Sequence, residues 1–334
     1  MSLFAIIEGI VKVLIFPGLL FAAIGGLLLA GIDRKIVARM QKRIGPPIMQ
    51  PTYDFLKLMG KETIIPKAAN KLAFLGSPII GFVSLVVLMT LIPIGGYSAF
   101  SGKADLIVIL YLLTIPAVAL IVGGSASGSP YAGVGISREM VTMMAYELPL
   151  VMVLLTVAKF VGGNDLVFSL QSITAFQMSN GSLITNWALI PAAIALLLVI
   201  PAEVGVQPFD VAEAETEICE GPLVEYSGAP LGIFKLNTAI KMFVMTSLFS
   251  ALFLGGITKG ISINVTVFGV HVLTILVKAL IHLAISAVLT IICMSAIHAC
   301  TARLKVEHLF KFYWTFVAGL ALISLVLVWA GIGI

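Results

Sequence analysis

The chain is 334 residues long, 60% hydrophobic and only 11% charged, with a formal net charge of +4. Soluble globular domains carry roughly 25% charged residues, so these numbers exclude a water-soluble fold, and a mean hydropathy of +1.13 points to a polytopic membrane protein. The small positive balance is spread over many loops, which argues against a nucleic-acid partner.

A helix needs roughly 20 apolar residues to cross a bilayer. By that ruler the sequence predicts an all-α fold of about eight transmembrane helices, near 9–32, 72–96, 104–124, 139–160, 186–206, 232–257, 266–299 and 310–332. The first apolar run has no small-residue cleavage site and reads as a retained helix. A basic loop follows at about 33–71, with nine cations: Arg34, Lys35, Arg39, Lys42, Arg43, Lys57, Lys61, Lys67 and Lys71. From Gly123 to Met140 the chain is rich in glycine and serine and reads as a loop that permits close packing. It has no P-loop lysine, so nucleotide binding is not expected. The fourth span carries Glu147 about two turns in, and an intramembrane glutamate is a functional candidate.

Between Glu203 and Glu225 lie seven carboxylates and no Lys or Arg: Glu203, Asp210, Glu213, Glu215, Glu217, Glu220 and Glu225. Ionised groups beside hydrocarbon must be paired, hydrated or protonated, and like charges raise one another's pKa values. Read as a helix, the segment places Glu213, Glu217 and Glu220 on one face, with Glu215 off it and a turn at Pro208. A solvated acidic face would have the same composition, but Phe209, Ile218, Leu223 and Tyr226 make the segment amphipathic. The seventh span holds Lys278 and His282 one turn apart, with His271 earlier; this pair is either a further proton carrier or a structural partner for a carboxylate.

The basic loop, Arg138, Lys235, Arg303, Lys305 and Lys311 fall on one side of the membrane, fourteen cations against Lys103, Lys159 and Lys259 on the other. The bias toward cytoplasmic Lys and Arg places both termini outside and puts the loops at about 33–71 and 207–231 together in the cytoplasm. The whole chain, 1–334, reads as one membrane domain. Pro17, Pro78, Pro93, Pro116, Pro149, Pro191 and Pro201 lie in or at the ends of spans and predict tilted, bent helices around a polar interior. Cys219, Cys293 and Cys300 have no metal-ligand spacing, so no cofactor or metal is expected in this chain.

Several segments together resemble the membrane subunit of respiratory complex I known as H in bacteria and as NADH dehydrogenase 1 in mitochondria, and its relatives in energy-converting hydrogenases. They are Asp33-Arg34-Lys35 through Gly45-Pro46 with Asp54, Lys57 and Lys61-Glu62; Arg138 with Tyr146-Glu147; and Ala202-Glu203, Pro208-Phe209-Asp210, Glu213-Ala214-Glu215 and Glu225-Tyr226-Ser227-Gly228. The resemblance implies a coupling subunit that joins a peripheral redox module to a membrane arm and begins a glutamate-lined path into the bilayer. Carried over by position, that path contains Glu147, Glu203, Asp210, Glu213, Glu215, Glu217 and Glu225; Glu220, Lys278 and His282 are added from the reading of the residues themselves. Arg34, Lys35, Arg39, Arg43, Asp54, Lys57, Arg138 and Glu139 are the expected docking residues. Val206 stands where quinone-reducing members carry arginine. The Ser-Gly-Ser-Pro stretch with Ser-Arg-Glu-Met is similar to ferredoxin-linked membrane-bound [NiFe]-hydrogenases and archaeal sulfane-sulfur reductases. The expectation is therefore a hydrogenase-type complex in the plasma membrane. Its partners would be an iron–sulfur small subunit, a [NiFe]-type large subunit and antiporter-like subunits, with ferredoxin as donor. The same role in a sulfane-sulfur reductase, the quinone-site subunit of a complex I-type quinone oxidoreductase, and a stand-alone ion transporter are the alternatives.

Overall fold

The structure, a computed structural model, describes residues 9, 11–94, 105–163, 165–258 and 272–331. Eight helical stretches among them are long and apolar enough to cross a membrane, matching the eight expected spans. His271, Lys103 and Lys259 lie outside the described residues.

The helices in chain order are α1 (Leu19–Met40), α2 (Gln50–Met59), α3 (Lys71–Leu91), α4 (Leu106–Ser127), α5 (Pro130–Gly162), α6 (Leu170–Asn180), α7 (Ile190–Val204), the short α8 (Glu215–Ile218) and α9 (Gly228–Phe253). Next come α10 (Val272–Thr290, then a π-helical turn Ile291–Ser295 and Ala296–Cys300) and α11 (Val306–Lys311, a π turn Phe312–Val317, then Ala318–Trp329). No named strand occurs among the described residues; Asp105 and Ser169 form an isolated bridge.

The bundle is organised around α9. In its most apolar 18-residue stretch 94% of residues are buried, against 28% in the seventh span. It packs on α1, α2, α3, α7 and α10. Close approach is possible because Gly25 and Gly26 of α1 face Phe243 and the Ala239 backbone, where a Cβ would sit within 3.0 Å of either. A helix with neighbours on all sides must satisfy its polar groups inside protein, and this is what lets α9 carry Asn237 and Lys241.

Two expectations are corrected. The basic loop starts later than 33, because α1 continues to Met40 and carries Asp33, Arg34, Lys35 and Arg39 on its last turns. The Gly123–Met140 stretch is mostly helix, broken only where Gly128 takes φ +73° at the end of α4. Gly123, Gly124 and Gly135 serve packing. A Cβ at Gly123 would collide with Ser77 Oγ and the Tyr226 hydroxyl, and one at Gly135 with Pro222 of the acidic loop.

Prolines 78, 116, 149 and 201 lie inside helices, as expected of bent rods. Pro78 cannot donate to the carbonyl four residues back, Phe74. Tyr226 replaces that bond, its hydroxyl donating to Phe74 O at 3.0 Å while its ring stacks on Phe74 at 4.0 Å. The adjacent Ser227 Oγ accepts from the Ile64 backbone at 3.0 Å. The Glu225-Tyr226-Ser227-Gly228 motif is thus a clamp that seats the acidic segment on α3 and on the basic loop.

Candidate functional site: a polar chamber under the loops

At the end of the bundle where both loops lie, α4, α5, α7 and α9 enclose a cavity of about 60 Å³, room for a few waters, lined by Glu139, Glu203, Asp210, Glu213, Asn237, Thr238 and Lys241. Glu203 comes from the last turn of α7 and Lys241 from α9. The ammonium lies 2.8 Å from Glu203 Oε1, and both residues are under a tenth exposed. An unpaired charge at such a depth would cost several kcal/mol, so each residue is the partner the other's burial requires. Glu139 is held by Thr142, whose hydroxyl donates to its carboxylate at 3.4 Å and to its backbone carbonyl at 2.9 Å. Glu147, two turns on along α5, is half-buried and within Coulombic reach of Glu203 and Lys241.

The chamber leads outward past Asp210 and Glu213. Asp210 is fixed by Arg303 through a forked contact, Nε to both carboxylate oxygens at 3.0 and 3.1 Å and Nη2 to Oδ2 at 2.8 Å. The same arginine reaches Thr216 at 3.3 Å, and Leu304 N donates to Pro208 O at 3.1 Å, so the 301–305 strap ties down the acidic segment. Glu213 is half-buried. Burial first, and then repulsion from Glu139, Asp210 and Glu220, outweighs attraction by Lys235 and lifts its carboxyl from 4.5 to about 7.

Glu213 also faces two further cavities. One, of about 150 Å³, is lined by Asp210, Glu215, Glu220, Lys235 and Arg303. The other, of about 470 Å³, opens between α1, α2 and α9. Its walls are part apolar (Leu27, Phe55, Leu58, Met242) and part charged (Asp33, Arg34, Asp54, Lys57, Lys61, Lys235). Burial works against the charge of Asp54, but hydrogen bonds from Gln50 at 2.8 Å and Arg34 at 3.0 Å, with the charges of Arg34 and Lys57, hold its carboxyl below the ordinary range.

The expected acids therefore separate into groups. Glu203 lines the chamber with Glu139, a residue expected at the docking surface, while Glu147 is half-buried on α5 and not part of the chamber wall. Asp210, Glu213, Glu215 and Glu220 surround the mouth. Glu217 is exposed and paired with Arg138 at 2.6 Å, and Glu225 is exposed. Lys278 and His282 stand apart on α10, where His282 Nε2 is 2.8 Å from Ser247 Oγ. Of the remaining docking residues, Arg39 and Arg43 are exposed, with Arg43 bonded to Gln41; Lys35 is half-buried. The expected single helical face for Glu213, Glu217 and Glu220 does not form, since only Glu215–Ile218 is helical. Cys219 and Glu220 take left-handed φ of 51° and 69°, and Pro222 follows, so the chain turns before a second helical turn can close. Lys241 and Arg303, for which the sequence gives no expected role, are the side chains that pair with Glu203 and Asp210. A lone lysine in the middle of an apolar span was the available signal.

Residues 11–329 match the model of the NADH dehydrogenase family. The chain belongs to this family. Among curated relatives it is 37% identical to hydrogenase-4 component C of Escherichia coli over 253 residues, 75% of each chain. It is 30% identical over 322 residues to the H chain of the NADH-quinone oxidoreductase of Rhizobium rhizogenes, covering 92% of this chain and 90% of the relative. Among solved structures, a chain of the membrane-bound sulfane sulfur reductase, an archaeal respiratory membrane complex, superposes with a TM-score of 0.85 at 30% identity, covering 98% of this chain and all of that one. The protein is a multi-pass membrane subunit of the complex I-like type.

Proposed function

We propose that the protein is the coupling subunit of a ferredoxin-dependent membrane-bound hydrogenase complex. It docks a peripheral redox module on its two loops and relays protonation changes into an ion-translocating membrane arm. The observation that carries this reading is the Glu203–Lys241 pair, buried in a water-sized chamber whose route outward passes the near-neutral carboxyl of Glu213. A group titrating near pH 7 can load and release protons at physiological acidity. A charge arriving near Glu213 from a reduced partner would shift its protonation, and through the chamber the balance of Glu203, Lys241, Glu139 and Glu147.

In this reading the basic residues Arg34, Lys35, Arg39 and Arg43, with Asp54, Lys57 and Arg138, form the cytoplasmic dock, and both termini lie outside the cell. Iron–sulfur clusters and a nickel–iron centre belong to the partner subunits, alongside antiporter-like membrane subunits. Two other assemblies would use the same relay. The similarity to the sulfane sulfur reductase chain favours sulfur as terminal acceptor. The part-apolar cavity of about 470 Å³ favours a quinone. Purification of the native assembly separates them: hydrogen evolved from reduced ferredoxin supports the hydrogenase. Polysulfide reduction without hydrogen, or turnover blocked by quinone-site inhibitors, replaces it with one of the others.

A further inference from the structure

A second polar seam runs along α10, apart from the chamber. His282, Ser286, Thr290 and Ser295 are each no more than 3% exposed, although α10 as a span is the least buried of the eight. The first three are spaced four apart, which stacks them on one helix face. The next position on that face of an unbroken α-helix would be 294. The π-helical turn Ile291–Ser295 adds a residue to the repeat and carries Ser295 onto the seam.

At the loop end, Ser295 Oγ donates to Asp33 Oδ1 at 2.7 Å, and His298 Nδ1 lies 3.8 Å from Asp33 Oδ2. Asp33 also lines the wide cavity of about 470 Å³. At the inner end, His282 Nε2 meets Ser247 Oγ of α9 at 2.8 Å. Ser247 is six residues beyond Lys241, about 9 Å farther along α9 and roughly 120° around it, so the seam does not run through the chamber. From Ser295 to His282 the rise is about 20 Å, most of a hydrocarbon core of about 30 Å, and Lys278 stands one turn farther on.

Buried serine and threonine in helices ordinarily bond back to a carbonyl one turn earlier, and Thr290 does so, to Ser286 O at 2.8 Å. Ser286 does not: its Oγ is fully buried and has no hydrogen-bond partner among the described residues, and neither does His298 Nδ1. Buried polar atoms of this kind are normally satisfied by internal water. Side chains four apart on a helix are about 6 Å from each other, a gap that one bridging water fills.

We propose that this seam is a second proton path, carrying protons from the wide cavity at Asp33 and His298, through waters beside Ser295, Thr290 and Ser286, to the His282–Ser247 pair deep in the membrane. Each hydroxyl, water or imidazole releases one proton as it receives one, the ring taking it at one nitrogen and giving it up at the other; only O–H and N–H bonds change. The direction of flow rests on the coupling role proposed above, which places the loop end in the cytoplasm.

The test uses the intact complex in proteoliposomes. Ser286→Val puts two methyl groups where one hydroxyl stood, closes the seam to water and should remove the seam's share of the protons translocated per turnover, with redox turnover under a protonophore unchanged. Wild-type translocation in both Ser286→Val and His282→Asn would overturn the proposal. Should neither variant assemble, an experimental density map of the wild-type complex at water-resolving quality decides. Ordered waters beside Ser286 and between Thr290 and Ser295 are expected, and a dry, closed seam refutes it. Glu203→Gln in parallel keeps the two ideas apart, because its effect reports on the chamber alone.

Discussion

Glu213 stands where three cavities meet, and no other acid of the segment faces all of them. Its folded carboxyl titrates at about 7, against 4.5 when unperturbed. The folded protein therefore holds this proton more tightly than the unfolded chain does. That contribution to stability is complete below pH 4.5 and is lost as pH rises through 7. Melting curves of the purified complex should show this fall, and Glu213→Gln, which stays neutral, should flatten it. An unchanged slope would mean that Glu213 is already ionised at low pH. The Glu203–Lys241 pair behaves differently. Lys241→Met strands a buried carboxylate and should cost about 3–5 kcal/mol, while Glu203→Gln with Lys241→Met should restore most of the loss. A thermal-unfolding double-mutant cycle with no coupling between the sites would show that the pair is not the structural unit described.

Among elements, the clamp around the acidic segment is the most exposed to single substitutions. Gly221 has φ +51°, and a Cβ there would strike Ala212 O. Gly221→Ala should therefore destabilise the segment by about 1–3 kcal/mol and loosen the redox module, readable as dissociation of peripheral subunits on a sizing column. Tyr226→Phe removes the hydroxyl that serves the Phe74 carbonyl left unpaired by Pro78, at a cost of about 1 kcal/mol. Cys219 and Cys300 are both exposed at the loop end. A membrane-impermeant maleimide should label them in inverted vesicles stripped of peripheral subunits but not in intact cells, and labelling of intact cells would reverse the assigned orientation. How far these elements were legible in the sequence follows from what each depends on. Hydropathy over about 20 residues is a local property, so all eight spans could be read directly. The path of 205–227 was not local: Pro222 packs against Gly124 and Gly135, and Arg303 reaches back to Asp210 across 93 positions. A helical wheel drawn on Glu213, Glu217 and Glu220 contains neither contact, and so it placed on one face acids that the fold sends to different places.

The molecule as a whole is built around one helix that every functional feature touches. α9 is buried nearly throughout, and it contributes Lys235 to the mouth, Asn237 and Lys241 to the chamber and Ser247 to the α10 seam. Such burial makes the polar residues of α9 expensive and fixes them in position. The clustering of Glu203 with the mouth acids could be read from the sequence because the chain places them within a short stretch of one another. Lys241 was harder to place, since it is an isolated charge whose partner is supplied by another helix, and Glu139 because its place beside Arg138 in the sequence does not show that it turns into the chamber, where Thr142 of its own helix holds it. The family relationship accounts for the loops and the acid row together, and the geometry adds the cation that holds the row's inner end. The decisive experiment is proton translocation per turnover in proteoliposomes containing the intact complex with Glu203→Gln. Translocation per turnover should fall while donor oxidation continues at the wild-type rate in the presence of a protonophore. Undiminished translocation would show that protons do not pass the Glu203–Lys241 pair.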